Sequence, residues 1–292
     1  MVVILSLLAA TAFALGTVLQ QKGTLEGDSG SSSGVQFLAG LFRRPVWLLG
    51  GLVTAVGALC QTLALRTGSL AAVQALATLS LVIALPLGRW LTQQQVTPVV
   101  WAGACATTAG VVLFVGLGSP QAGTSTPSAT AWGWAFGTSA VLAVVLYRAA
   151  SNRTGRPQAQ AVLFGGAAGL AFGLASALAK ALTSQFAGGL TAVLSSWETY
   201  GLVAVGLVGL GMGQAALRTG ALAPAMAATN SVTLLSTVVL GLTVFGESFA
   251  TDHLVAVISG LAVTLFGIVL LSRAPGRGES PAAAPPAAVS QG

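Results

Sequence analysis

Few side chains in this 292-residue sequence can do chemistry, and almost all of them lie within or at the ends of long apolar runs. Gln61 and Gln214 stand near the ends of two such runs. Gln74 and Asn230 stand one to two turns into the runs that follow, with Thr229 beside Asn230. A buried amide or hydroxyl costs free energy unless it is hydrogen-bonded. These groups therefore either bond one another between helices or offer donors and acceptors to a polar solute. Gln61, Gln74, Gln214, Thr229 and Asn230 make up the candidate transport pathway. Among charged groups, Lys180 is expected to snorkel, with its stem along lipid and its ammonium in water; the other reading is a counter-charge for an anionic group or a carboxylate. Arg66 and Arg218 close two runs, as interfacial anchors or as a charged gate at each mouth. Glu198 and Glu247 are boundary carboxylates and the candidate metal ligands, Glu247 also fitting a structural role at a helix end.

Other chemistries find no footing. There is one histidine, His253, and there are two cysteines, Cys60 and Cys105, each inside an apolar run, so neither a His/Cys zinc site nor a disulfide framework is expected. Gly30-Ser31-Ser32-Ser33-Gly34 fits the pattern of a hydrolase nucleophile turn but lies in a Ser/Gly loop with no strand before it. Asn152-Arg153-Thr154 fits a glycosylation sequon, in a loop expected to be cytoplasmic. No phosphate-binding loop occurs, no acid/base or nucleophile/base pair converges, and neither enzymatic activity nor a cofactor is expected.

The elements that must position these groups follow from composition. Hydrophobic residues make up 54% of the chain and charged residues 6%, against about 25% charged in soluble domains. Twelve Lys and Arg exceed six Asp and Glu, but the basic residues are dispersed and form no face for nucleic acid. The remaining class is a polytopic membrane protein. A helix needs about 20 mostly apolar residues to cross the hydrocarbon. Nine runs qualify: 2–21, 47–65, 70–91, 98–117, 132–149, 158–182, 199–217, 222–245 and 253–272. They lack the alternation of barrel strands. The predicted fold is an all-α bundle of nine transmembrane helices, the first run being retained rather than cleaved.

Trp47, Trp101, Trp132, Trp134, Trp197 and Tyr200 fall near run starts and Trp90 and Tyr147 near run ends, as expected of residues that prefer the membrane interface. Residues 22–34 read as a flexible loop, 35–44 as a short interfacial helix, 118–131 as a polar linker and 274–292 as a disordered Ala/Pro tail. With nine spans, ten Lys and Arg fall on one side and only Arg66 and Lys180 on the other. The positive-inside rule then predicts a multi-pass protein of the cytoplasmic membrane, N-terminus outside and C-terminus in the cytoplasm.

The sequence also repeats. Leu65-Arg66-Thr67-Gly68-Ser69-Leu70-Ala71 matches Leu217-Arg218-Thr219-Gly220-Ala221-Leu222-Ala223 at six of seven positions, offset by 152. Both copies close one run and open the next, and each has a glutamine, Gln61 or Gln214, about one turn earlier. Gly103 and Gly110 are spaced like Gly260 and Gly267, and Ala12-Phe13-Ala14-Leu15 is similar to Ala171-Phe172-Gly173-Leu174. Spans one to four thus map onto spans six to nine. An offset of five spans turns the copies in opposite senses, the mark of secondary transporters with a site near the midplane. The organisation is a first repeat over 1–117, the linker, an extra span at 132–149 and a second repeat over 158–273. The GxxxG pairs Gly133/Gly137, Gly169/Gly173 and Gly209/Gly213 read as helix-packing sites.

Gly246-Glu247 after the penultimate span, with Gly260 and Gly267 in the last, resembles the EamA-type repeats of the drug/metabolite transporter superfamily. The nine-span layout and a first span ending in Gln20-Gln21-Lys22-Gly23 resemble, more narrowly, the NIPA-type magnesium transporters of that superfamily. The sequence departs from that pattern at Gln93-Gln94-Gln95, where an acidic residue is expected, and in carrying Pro86 late in the third span; Pro224 lies early in the eighth, as the pattern has it. The resemblance implies two inverted four-helix units that alternate access to a central cavity for a small solute or ion, magnesium or another divalent cation being the narrower implication. The expected partners are membrane lipid and that substrate, with a homodimer left open. The reading from another class is a non-transporting membrane scaffold, in which the repeat serves packing alone.

Overall fold

The computed structural model describes residues 1–25, 44–92, 98–124, 126–153, 155–219, 222–249 and 254–271. Among them the chain is all-α, its one β feature an isolated bridge between Gln121 and Ser248. The helices are α1 (Val2–Leu25), α2 (Pro45–Leu65), α3 (Leu70–Ala77), α4 (Leu79–Thr92), α5 (Pro98–Gly116), α6 (Ala129–Ser151), α7 (Pro157–Leu182), α8 (Gly189–Ser195), α9 (Trp197–Arg218), α10 (Leu222–Thr243) and α11 (Leu254–Leu271). A 3-10 turn, Thr183–Gly188, joins α7 to α8. Their starts carry the expected chemistry. Pro45 and Pro157 open α2 and α7, where no N–H is needed, and the hydroxyls of Ser69 and Ser128 cap α3 and α6.

Among the described residues, six helical stretches are long and apolar enough to cross a membrane: Val2–Gln20, Pro45–Leu65, Leu70–Leu91, Ala129–Ser151, Pro157–Ser195 and Pro224–Thr243. Trp101–Gly116 and Leu254–Leu270 are apolar but shorter. Many large apolar side chains stand exposed on the outside of the bundle, Leu52, Leu207, Val112 and Val255 among them. Water would not support so continuous an apolar surface, whereas lipid does. The chain is therefore a helical protein of multi-pass membrane character.

Glycine sets how closely the helices approach. Gly16 of α1 lies against Gly50 and Thr54 of α2, and Gly165, Gly169 and Gly173 of α7 receive Ala225, Thr229, Thr233 and Ser236 of α10. Gly110 of α5 lies on Thr264 of α11, and Gly267 of α11 lies on Thr107 of α5. Each threonine is fully buried and returns its hydroxyl to its own helix, Thr107 to Gly103 and Thr264 to Gly260. Of the three GxxxG pairs, Gly169/Gly173 packs at both positions and Gly209 packs on Phe172, but a Cβ at Gly133, Gly137 or Gly213 would meet nothing among the described residues.

Three expectations need correction. Helix α1 runs on through Lys22-Gly23-Thr24-Leu25, so the loop expected from residue 22 has not begun there. The run 70–91 is two helices: the Thr78 N–H is shared between the Gln74 and Ala75 carbonyls (3.2 Å each), and the Thr78 carbonyl accepts from Leu81 N–H at 3.1 Å, an i→i+3 bond that interrupts the α ladder. Trp132 is buried rather than interfacial, its ring among Phe136, Trp197 and Phe245. Within the polar linker, Gln121 N–H is bonded to the Ser248 carbonyl (2.9 Å) and Thr124 N–H to that of Phe245 (2.8 Å), a detail on which the sequence is silent. The expected interfacial helix at 35–44 falls, except for Arg44, outside the described residues, as do His253 and the tail.

Candidate functional site

Two of the candidate glutamines meet. The Gln61 amide on α2 reaches the side-chain carbonyl of Gln74 on α3 at 3.5 Å, and the Ser176 hydroxyl on α7 lies 3.5 Å from the same oxygen. All three residues are half-buried. These contacts sit at the outer limit of hydrogen-bonding distance, so the two glutamine amides keep capacity to spare. Ser176 also donates to the Phe172 carbonyl at 3.0 Å. Sequence reasoning missed Ser176, whose one signal is a hydroxyl within an Ala/Gly/Leu run.

The element carrying Gln74 is short and fixed at both ends. Helix α3 is eight residues long and ends in the Thr78 break, at which the backbone carbonyl of Gln74 itself accepts the shared N–H. Beyond the break, Pro86 interrupts α4 and has no N–H to give. The N-terminus of α3 is held from far along the chain. After α10, Gly246 takes a left-handed conformation (φ +63°) that side chains other than glycine adopt rarely. The chain reverses there, the Glu247 N–H bonds back to the Gly241 carbonyl (2.9 Å), and the Glu247 side chain enters the bundle. A Cβ on Gly241 would overlap the Glu247 carboxylate, so that glycine makes the room. The carboxylate accepts from Leu70 N–H and, at 3.1 Å, from Ala71 N–H, two of the donors that a helix start leaves unpaired.

Lys180 completes this arrangement. Its ammonium pairs with Glu247, the lysine being 2% exposed and the glutamate 4%. The Lys180 Nζ also stands 4.8 Å from the centroid of the Phe245 ring. The snorkelling expectation is therefore corrected: Lys180 is a counter-charge for a carboxylate. It points inward because a buried carboxylate with two N–H donors offers a partner that water at the helix end does not better.

The other candidates lie apart from the polar trio. Thr229 donates to the Ala225 carbonyl (2.9 Å) and Asn230 to the Met226 carbonyl (2.8 Å), both within α10. No bond among the described residues joins either to Gln61, Gln74 or Ser176. Arg66 is exposed at the end of α2. The side chains of Gln214 and Arg218 lie outside the described residues.

Glu198, in the first turn of α9, is 9% exposed, and its buried Oε2 has no hydrogen-bond partner among the described residues. It lines a half-open cleft of about 410 Å³ together with Trp132, Phe136 and Trp197. The sequence marked Glu198 as a boundary carboxylate and candidate metal ligand but gave no sign of its burial against aromatic rings. No group of three or more His, Cys, Asp or Glu gathers among the described residues.

Comparison with known proteins adds little. No family model matches the chain, and no solved structure matches it. An uncharacterized protein of Corynebacterium glutamicum is 26% identical over 280 residues, covering 93% of this chain and 94% of that protein.

Proposed function

We propose that the chain is a secondary transporter or permease of the drug/metabolite type, a nine-span protein of the cytoplasmic membrane that moves a small polar solute between two inverted four-helix halves. The observation that carries this reading is the loose meeting of Gln61, Gln74 and Ser176 from three helices, beside a helix broken at Thr78, inside an otherwise apolar bundle. Polar groups at such depth are costly unless satisfied. Here the contacts among the three are long enough for a solute to take them over, the Ser176 hydroxyl having its own bond to the Phe172 carbonyl, and discontinuous helices accompany binding sites in transporters. The inverted arrangement draws support from the reciprocal seating of Gly110 on Thr264 and Gly267 on Thr107, since equivalent positions of two copies meet in this way across a pseudo-twofold axis.

The donor set suits a polar solute that needs amide and hydroxyl partners. The narrower magnesium reading leans on carboxylates, and Glu247 is already engaged by Lys180 and two N–H groups.

The test is aqueous access to Gln74. With Cys60 and Cys105 replaced by serine, Gln74→Cys in sealed vesicles is expected to react with a membrane-impermeant thiol reagent from one face or the other. If Gln74→Cys is inert from both faces while Arg66→Cys reacts, the trio is closed packing and the scaffold reading replaces this one.

A further inference from the structure

We propose that the cleft beside α9 is a binding site for a small organic ammonium ion, with Glu198 as its counter-charge and Trp132, Phe136 and Trp197 as its aromatic walls. The first observation is the carboxylate. Glu198 is nine-tenths buried, and its Oε2 is inaccessible and has no partner among the described residues. A buried carboxylate oxygen without a partner is costly, and the other buried carboxylate of the bundle, Glu247, is neutralised by Lys180 and two N–H groups. The place of Glu198 in the first turn of α9 gives it the helix dipole but no counter-charge. A cation in the cleft that Glu198 lines supplies one.

The second observation identifies the kind of cation. Trp132 and Trp197 stand perpendicular, at 86° with centroids 5.3 Å apart, and Phe136 lies 5.8 Å from Trp132 and 6.2 Å from Trp197. In an edge-to-face pair one ring's edge meets the other's face, so the buried Trp132 backs the wall and the 48% exposed Trp197 presents the aromatic surface that attracts a soft, poorly hydrated cation. The remaining polar lining includes Ser184 and Gln185, and the Ser184 hydroxyl is already donated to the Ala181 carbonyl at 2.8 Å. Magnesium needs near-octahedral oxygen ligands and gives up water reluctantly, and here a single carboxylate stands among aromatic walls. A volume of about 410 Å³ lies within the range of small-molecule sites. The site is separate from the Gln61–Gln74–Ser176 trio, and binding to it is measurable whether or not the chain transports anything.

The experiment is calorimetric titration of the full-length, detergent-solubilised protein with choline chloride, against sodium and magnesium chloride at matched ionic strength. Saturable choline binding is expected, undiminished by equimolar magnesium. Glu198→Gln should weaken it about thirtyfold or more, since it removes one partner of a desolvated charge pair. Trp197→Leu should weaken it about two- to thirtyfold by removing a cation–π face. Trp197 is 48% exposed, so this variant tests the proposal even if Glu198→Gln fails to fold. Absence of saturable choline binding, wild-type affinity in Trp197→Leu, wild-type affinity in a folded Glu198→Gln, or displacement of choline by equimolar magnesium would each overturn it.

Discussion

Glu247 and Lys180 should contribute unequally to stability, although they form one ion pair. Glu247→Gln removes the charge that neutralises a lysine 2% exposed. The new amide oxygen can still accept from Leu70 and from the ammonium, which share one oxygen of Glu247, but the NH₂ group then faces the Ala71 N–H and the ammonium has no counter-charge. Leaving one charge of a buried pair uncompensated costs about 3–5 kcal/mol. Lys180→Met leaves the carboxylate with both N–H donors and with the positive end of the α3 dipole. Those partners retain most of its stabilisation, so the loss is about 1–2 kcal/mol. The double variant buries no charge and keeps one accepted N–H bond, at a cost of about 2–4 kcal/mol. It should therefore fall about 2–3 kcal/mol short of the sum of the singles, within the range of coupling found for contacting residues. The assay is reversible unfolding in mixed micelles with increasing dodecyl sulfate, followed by the helical circular dichroism signal. If Lys180→Met is as damaging as Glu247→Gln, or if the double variant equals the sum of the singles, the carboxylate is not the shared anchor of lysine and helix.

Three further outcomes follow from the packing. Gly267→Ala forces a Cβ into the Thr107 backbone and should cost about 1–3 kcal/mol, whereas Gly137→Ala, with nothing near its Cβ among the described residues, should stabilise by up to about 1 kcal/mol through helix propensity; the same unfolding assay reads both. Trp132→Ala should cost about 3–5 kcal/mol because its ring packs on Phe136, Trp197 and Phe245. Trp134→Ala, at a position 71% exposed, should stay within about 0.5 kcal/mol of wild type. In a chain lacking Cys60 and Cys105, Gln121→Cys with Ser248→Cys should cross-link under mild oxidation, because the two residues face each other in a β-bridge; a failure to cross-link on denaturing gels would mean that the linker is not held against the turn after α10.

Apolar run length made the helical membrane class legible, because that signal is local and adds up along the chain. Gln61 and Gln74 were legible only as polar exceptions within apolar runs; the repeat paired Gln61 with Gln214 and Gln74 with Asn230, and nothing in the sequence placed Gln61, Gln74 and Ser176 together. Lys180 was misread for a physical reason. A lysine near a helix end can reach water or turn inward, and which it does depends on a partner 67 residues further on, delivered by a left-handed glycine and admitted by another glycine. Trp132 and Trp134 have the same composition and the same place at a run boundary, yet one is buried and the other 71% exposed. Their difference is rotational phase on α6, which only the neighbouring helices set. The Thr78 break was invisible because a single threonine in an apolar run has no strong preference against helix.

Why a membrane bundle should bury an ion pair to hold an eight-residue helix has an energetic answer. A buried pair contributes little net stability compared with an apolar replacement, so its use lies in specificity. Helix α3 is too short to hold itself, since helices of fewer than about 12–15 residues are marginal alone. Apolar packing could hold it, but apolar contacts between helices in lipid tolerate sliding and rotation. Two N–H donors on one carboxylate do not, because rotating α3 breaks both bonds and leaves Leu70 N–H and Ala71 N–H unpaired in an apolar surrounding. Gln74 follows within the same helix, so its rotation is set by Glu247, and Glu247 is set in turn by Lys180 and by the turn at Gly246. The charge is thus spent on aiming one amide toward Gln61 and Ser176, and any motion that opens the trio has to carry the Glu247 turn with α3 or break the charge-assisted bonds that join them.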